Sequence, residues 1–238
     1  MMQQLYFLSP LELDFPDPET ALQDPDGLLA VGGCLSLMRL KNAYNNGIFP
    51  WYNEQEPIMW WSPSQRGIIE LDEFHVSRSL KRTARRLTPK VTINHAFVDV
   101  MRACREQRLH REGTWISRAM LKAYHDAHLA GFAHSLEVWH QGALAGGLYG
   151  IMQNGVFCGE SMFHHVTDGS KLAVWALVNW LKQHQVHFID CQLENPYLTA
   201  LGAKSISRAQ FLTRLKEAKD FQIPEGMWQA QELVNIYD

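Results

Sequence analysis

Residues 170–185 carry Leu172, Val174, Trp175, Leu177, Val178 and Leu181, which leaves little of a helical surface polar. A helix that is apolar on most sides must be covered on most sides, so this segment predicts a buried helix packed on a sheet. The sheet is legible just upstream. Ser135-Leu136-Glu137-Val138-Trp139 alternates at the strand period, and Gln141-Gly142 offers a turn into Ala143–Met152. Asn154-Gly155 is a strong hairpin signal leading to Val156-Phe157-Cys158. Three successive antiparallel strands and then a buried helix are therefore expected.

Beyond that helix, Val186-His187-Phe188-Ile189-Asp190-Cys191-Gln192 is a short apolar run that acquires a carboxylate and an amide two residues apart. Positions i and i+2 of a strand share a face, so Asp190 and Gln192 are expected to project together, with Ile189 and Cys191 opposite. Asn195-Pro196 reads as a helix start and Gly202 as its stop. Strand ends that feed helices are where α/β folds place their sites. The plainer alternative is a pair of side chains capping backbone groups in a loop.

The first 60 residues are punctuated by turn formers around Pro16, Pro18, Pro25, Gly27 and Gly32-Gly33, with a short helix capped by Ser36 and ending at Gly47. Ile48-Phe49-Pro50-Trp51-Tyr52 and Met59-Trp60-Trp61-Ser62-Pro63 then concentrate three Trp, one Phe and one Tyr within thirteen residues. Such a cluster serves either to stack a nucleobase or to pack one unit of the chain on another.

Charge divides the chain more sharply than its net value of -3 suggests. Residues 1–64 hold two basic against eight acidic side chains, whereas residues 74–111 hold ten basic against two acidic. Within the basic block, Arg78, Lys81, Arg82, Arg85 and Arg86 fall at helical spacing and no acid occurs from Phe74 to Val98. Like charges at i, i+4 repel unless a partner neutralises them, so this strip is a candidate phosphate surface rather than an ordinary solvated face. Asn94 and Ser117 are expected to cap two further helices, and Ser207 a final one.

Several classes are disfavoured. Met1-Met2-Gln3-Gln4 lacks a basic leader, and no apolar run approaches the roughly 18 residues that span a bilayer, so a cytoplasmic protein with no membrane partner is expected. Cys34, Cys104, Cys158 and Cys191 are scattered without a CxxC pair, as reduced core thiols are. The pairs His125/His128 and His184/His187 lack the further ligands a metal site needs, and no metal is expected.

Helices, a three-strand meander, a buried helix, a strand and a helix in that order resemble the acyl-transferring GNAT-like fold. Acetyl-CoA enzymes of that fold carry a glycine-rich pyrophosphate loop before the buried helix, where this chain reads His164-His165-Val166-Thr167-Asp168-Gly169-Ser170. A coenzyme A thioester is accordingly not the expected donor. Five co-linear motifs are more specific: Gly47-Ile48-Phe49-Pro50-Trp51, Trp60-Trp61-Ser62-Pro63, Glu112-Gly113-Thr114-Trp115-Ile116, Phe157-Cys158-Gly159-Glu160-Ser161-Met162-Phe163 and Ile189-Asp190-Cys191-Gln192. Together they resemble the bacterial leucyl/phenylalanyl-tRNA protein transferases, in register over nearly the whole chain.

The resemblance implies a mixed α/β (α+β) chain with a small N-terminal domain at residues 1–64 and a GNAT-like aminoacyl-transfer domain at residues 65–238. It implies transfer of Leu or Phe, with Met as a further donor residue, from aminoacyl-tRNA to the N-terminal Arg or Lys of proteins, marking them for N-end-rule degradation. Asp190 and Gln192 become the catalytic pair, and Glu160 with Asn195 the groups that recognise the acceptor. Leu148, Phe157, Met162, Val174, Leu177 and Ile189 become the aminoacyl side-chain pocket, although each alone is also an ordinary core residue. Leu148 and Leu177 depart from the Met and Phe that the family pattern leads one to expect. Trp51 and Trp115 would enclose the terminal adenosine, and Arg78, Lys81, Arg82, Arg85 and Arg86 would hold acceptor-stem phosphates.

Aminolysis of an ester is downhill, so no cofactor, ATP or metal is expected. The attacking α-amine has a free pKa of about 7.7–8.0, so Asp190 either relays its proton or acts electrostatically. A monomer is expected. A cell-wall transferase that also uses aminoacyl-tRNA would carry two GNAT-like units, too many for 238 residues. The alternative from another class is a non-catalytic RNA-binding module built on the basic helix and the aromatics.

Overall fold

The computed structural model describes residues 4–109 and 114–237. Strands β1 (Tyr6–Leu8), β2 (Leu28–Gly32), β3 (Phe49–Pro50) and β4 (Met59–Trp61) form a four-stranded sheet in the order β1-β2-β4-β3, with helix α1 (Leu37–Asn45) between β2 and β3. Ser36 caps α1 as its position suggests, its side chain accepting from the Arg39 N–H. The aromatic cluster is thus mostly strand, and Trp60 is fully buried there against Phe15, centroids 4.9 Å apart.

The larger sheet begins at β5 (Gln65–Glu70). After it come α2 (Arg78–Leu87), β6 (Lys90–Ile93), α3 (Phe97–Leu109) and α4 (Arg118–Leu129). The meander follows as β7 (Ala133–His140), β8 (Ala143–Gln153) and β9 (Val156–His164), then α5 (Gly169–Gln183) and β10 (Phe188–Gln192). The chain closes with α6 (Pro196–Thr199), β11 (Ala203–Ser207), α7 (Arg208–Glu217) and β12 (Gln231–Glu232). The order across the sheet is β11-β5-β10-β9-β8-β7-β6-β12. Among the described residues every pairing in it is antiparallel except β9 with β10, which α5 connects.

The sheet is buried on both faces, and side-chain alternation shows it. Ile68, Ile151, Cys158 and Phe188 point to a core shared with α1, α3 and α4, while Ile69, Met152, Phe157 and Ile189 point to a second core under α2 and α5. The buried helix, the meander and both hairpin turns lie where the sequence puts them. Gln141 and Gly142 take φ of 52° and 79°, the left-handed pair a tight hairpin turn needs.

One expected cap is wrong. Asn94 does not open α3: its φ is 56°, and its amide donates to the Trp228 carbonyl at 2.7 Å while its oxygen accepts the Ser135 N–H. The α3 amino end is capped instead by buried Glu137, whose carboxylate accepts the His95 and Ala96 N–H groups and the Thr92 and Ser135 hydroxyls. A carboxylate from a distant strand satisfies those donors and favours the positive helix end.

Candidate active site

β9 and β10 pair in parallel through Cys158 and Asp190 and then separate. The residues just past that point are Gly159, Glu160 and Ser161 on one strand and Cys191 and Gln192 on the other. Each strand also carries a bulge there. The register of β8 on β9 steps from Ser161 to Gly159 and skips Glu160, and that of β10 on β5 steps from Asp190 to Gln192 and skips Cys191. Bulges re-aim side chains, and Gln192 takes the left-handed φ of 64° that turns it off the strand alternation. Gly67 makes room, since a Cβ on it would sit 2.8 Å from the Glu194 nitrogen.

Glu160 is buried and bonded on every side. Oε1 accepts from Tyr44 Oη at 2.6 Å and from Gln192 Nε2 at 2.8 Å, Oε2 accepts from Tyr124 Oη at 3.0 Å, and the two tyrosine hydroxyls lie 2.5 Å apart. Carboxyl and hydroxyls close a ring of three oxygen contacts, each needing one proton, and the hydroxyls supply two. Glu160 supplies the third when it is protonated, one of its oxygens then donating to a tyrosine hydroxyl instead of accepting from it. Burial accordingly pushes its pKa up to about 7, against the lowering effect of the tyrosine hydrogen bonds, with the Asp190 charge adding to the rise.

Asp190 is fully buried on the Ile68 and Phe188 side of the sheet, in the core that also holds Tyr44 and Tyr124, the partners of Glu160. Arg66 Nε meets Oδ1 at 2.8 Å and Nη2 meets Oδ2 at 2.7 Å, while Nη1 donates to the Gly47 carbonyl. The guanidinium is sandwiched 4.8 Å and 4.4 Å from the Phe49 and Phe211 ring centroids. Asp190 is not among the residues that line the cavity, and its Oδ1 also accepts the Gln192 N–H at 2.9 Å, which holds the bulge.

Where β9 and β10 separate lies a cavity of about 240 Å³. Leu148, Phe157, Met162, Val174, Leu177 and Ile189 all line it, and Glu160, Gln192 and Asn195 meet it as well. Asn195 Oδ1 is committed to capping α6 through the Leu198 N–H. Trp51 and Trp115 stand on the same cavity, Trp51 46% exposed and edge-on to Trp61 at 5.7 Å. Glu112 and Gly113 of the Trp115 motif lie outside the described residues. Arg78, Lys81, Arg82, Arg85 and Arg86 all sit exposed on α2, away from the cavity lining, and among the described residues none forms a salt bridge.

With this geometry in view, the comparisons are decisive. The family model described as leucyl/phenylalanyl-tRNA protein transferase matches residues 68–216, and that of its N-terminal domain matches residues 33–64. The chain belongs to this family. The leucyl/phenylalanyl-tRNA protein transferase of Pseudoalteromonas translucida is 63% identical over 100% of both chains. Those of Idiomarina loihiensis and Pectobacterium atrosepticum are 48% and 49% identical, covering 95% and 97% of this chain and 96% and 97% of theirs. Among solved structures, the L-PGS from Bacillus licheniformis matches with a TM-score of 0.41 at 14% identity over 65% of this chain and 50% of that one, too loosely to bear on the site. A leucyl/phenylalanyl-tRNA protein transferase is an aminoacyltransferase, and none of these relatives carries a binding-module name.

Sequence reasoning missed Arg66, Tyr44 and Tyr124 as parts of this transferase-family site. Arg66 had a readable signal: it shares strand parity with buried Ile68, and an arginine on an apolar face needs an anion. Tyr44 and Tyr124 read as apolar-face helix residues, and nothing local marks where their hydroxyls meet. Among the described residues no helix is long and apolar enough to cross a membrane.

Proposed function

We propose that this chain transfers Leu or Phe from aminoacyl-tRNA to the α-amine of an N-terminal Arg or Lys, as a cytoplasmic monomer. The observation that carries the reading is the cavity itself. An apolar pocket, two tryptophans, one carboxyl and two amides meet on a single hollow within a chain of this family.

The donor's side chain fills the pocket of Leu148, Phe157, Met162, Val174, Leu177 and Ile189. Met162 is unbranched and adapts to either residue. The terminal adenosine lies against Trp51 and Trp115, and the α2 cations follow the acceptor-stem phosphates. The acceptor's amine nitrogen attacks the ester carbonyl carbon. The bond from that carbon to the ribose oxygen then breaks, the leaving oxygen gains a proton and the amine loses one.

Gln192 orients the amine. Its Nε2 is committed to Glu160, which turns Oε1 toward an N–H of the nucleophile. Glu160 attracts the cationic acceptor and takes its proton, because ionised Glu160 leaves the tyrosine ring one proton short. Asn195 contacts the acceptor at the rim, and Asp190 with Arg66 positions Gln192.

The test is incubation with Leu-tRNA labelled in the amino acid and a protein beginning with Arg. Label should enter that protein and not the same protein with an acetylated N-terminus. Retention of all label on tRNA would end this reading.

A further inference from the structure

Arg108 and Glu160 are the one cation and the one anion among the described residues that line the cavity. Arg108 sits in the last turn of α3, exposed at the cavity mouth. Its Nε donates to the hydroxyl of buried Ser161 at 3.1 Å, next to Glu160 in the chain, and its guanidinium carbon lies 5.8 Å from the centroid of the Trp115 ring. Among the described residues no carboxylate lies within ion-pair distance of it, and neither terminal nitrogen has a hydrogen-bond acceptor.

We propose that Arg108 is a phosphate subsite: it holds the 5′-phosphate of the donor's terminal adenosine. This rests on reading the cavity as the aminoacyl-tRNA site, and it adds a contact that neither the basic helix nor the tryptophans supply. A guanidinium fixed through Nε keeps both terminal nitrogens for a bidentate bond to two phosphate oxygens. The aromatic wall beside it sets the base, and the 5′-phosphate lies one ribose away. Ser161 fixes the approach, so a lysine at 108, with a point charge and no Nε anchor, reproduces the contact poorly. The other structural role open to a cation here is support of the α3 carboxyl end through the helix dipole.

Nucleotide binding by the full chain separates these roles without requiring turnover. Tryptophan fluorescence is followed while adenosine or adenosine 5′-monophosphate is titrated into the wild-type protein and Arg108→Gln. The wild type should bind the monophosphate about tenfold more tightly, as a charge-assisted bidentate contact gives. Arg108→Gln should bring the two ligands within about twofold while leaving adenosine affinity unchanged. Equal affinities in the wild type, or a phosphate preference that survives Arg108→Gln, would overturn the subsite and leave the transfer reading standing. A wild type that binds neither ligand overturns both. In transfer assays Arg108→Gln should raise KM for Leu-tRNA about tenfold with kcat held within twofold, because the contact is equal in ground and transition states. A fall in kcat at constant KM would place Arg108 at the reacting carbonyl and reject the proposal.

Discussion

Arg66 holds both carboxylate oxygens of Asp190, at 2.8 and 2.7 Å, in a pair with essentially no solvent contact. Removing one partner strands the other charge in the core, a loss of about 3–5 kcal/mol. Asp190→Ala should therefore lower unfolding stability by that much in urea titrations, and slow transfer as well because the Gln192 N–H loses its acceptor. Replacing the pair together, Arg66→Met with Asp190→Leu, should cost less than either single change. Stability within 1 kcal/mol of wild type for Asp190→Ala would argue against a paired core charge.

Glu160 gives the site its pH dependence. Its folded pKa lies near 7 against an ordinary 4.5, raised by burial, so the folded state binds this proton more tightly than the unfolded state does. Its contribution to stability is full below pH 4.5 and is lost as pH rises through about 7, amounting to about 3 kcal/mol across that window. Glu160→Gln should flatten the fall. If Glu160 takes the amine's proton as proposed, transfer runs the opposite way: single-turnover rates should rise through pH 7 in the wild type and lose that limb in Glu160→Gln. An identical limb in both proteins would assign it to the acceptor amine alone.

Leu177 projects from α5 into the cavity beside Val174, both on the buried side of that helix. Shortening it to Ala deepens the pocket. Competition between Leu-tRNA and Phe-tRNA should shift toward Phe by about tenfold in kcat/KM, with a stability loss of about 2–3 kcal/mol. An unchanged ratio would mean that the donor side chain lies elsewhere.

The five α2 cations are exposed, so neutralising one should leave stability alone. Arg82→Gln should reduce the slope of log affinity for tRNA against log salt by roughly 0.7–0.9, one phosphate contact's worth. A slope equal to wild type would remove Arg82 from the tRNA path.

Much of this was legible in the sequence because it is written in short-range pattern. The buried α5, the hairpins at Gln141-Gly142 and Asn154-Gly155, the Ser36 and Ser117 caps and the basic strip of α2 each depend on neighbours a few residues apart. The site was legible only in part. Glu160 and Gln192 meet across two bulges, and a bulge changes strand parity without leaving a composition signal. Asp190 finds Arg66 across 124 residues of chain, a pairing that no local pattern announces. The Tyr44–Glu160–Tyr124 ring joins three elements separated by 80 and 36 residues, a distance over which no periodicity speaks. Glu137 taking over the cap expected of Asn94 is the same kind of miss.

The central claim is that the donor's aminoacyl group occupies the cavity between the splayed β9 and β10. A crystal structure of the protein soaked with leucyl-adenosine in which an amide replaces the ester tests it most directly. The leucyl side chain should lie against Leu148, Val174 and Leu177, its carbonyl carbon within reach of an amine held by Gln192, and the adenine against Trp51 and Trp115. Ordered ligand elsewhere on the protein, with this cavity empty, would contradict it.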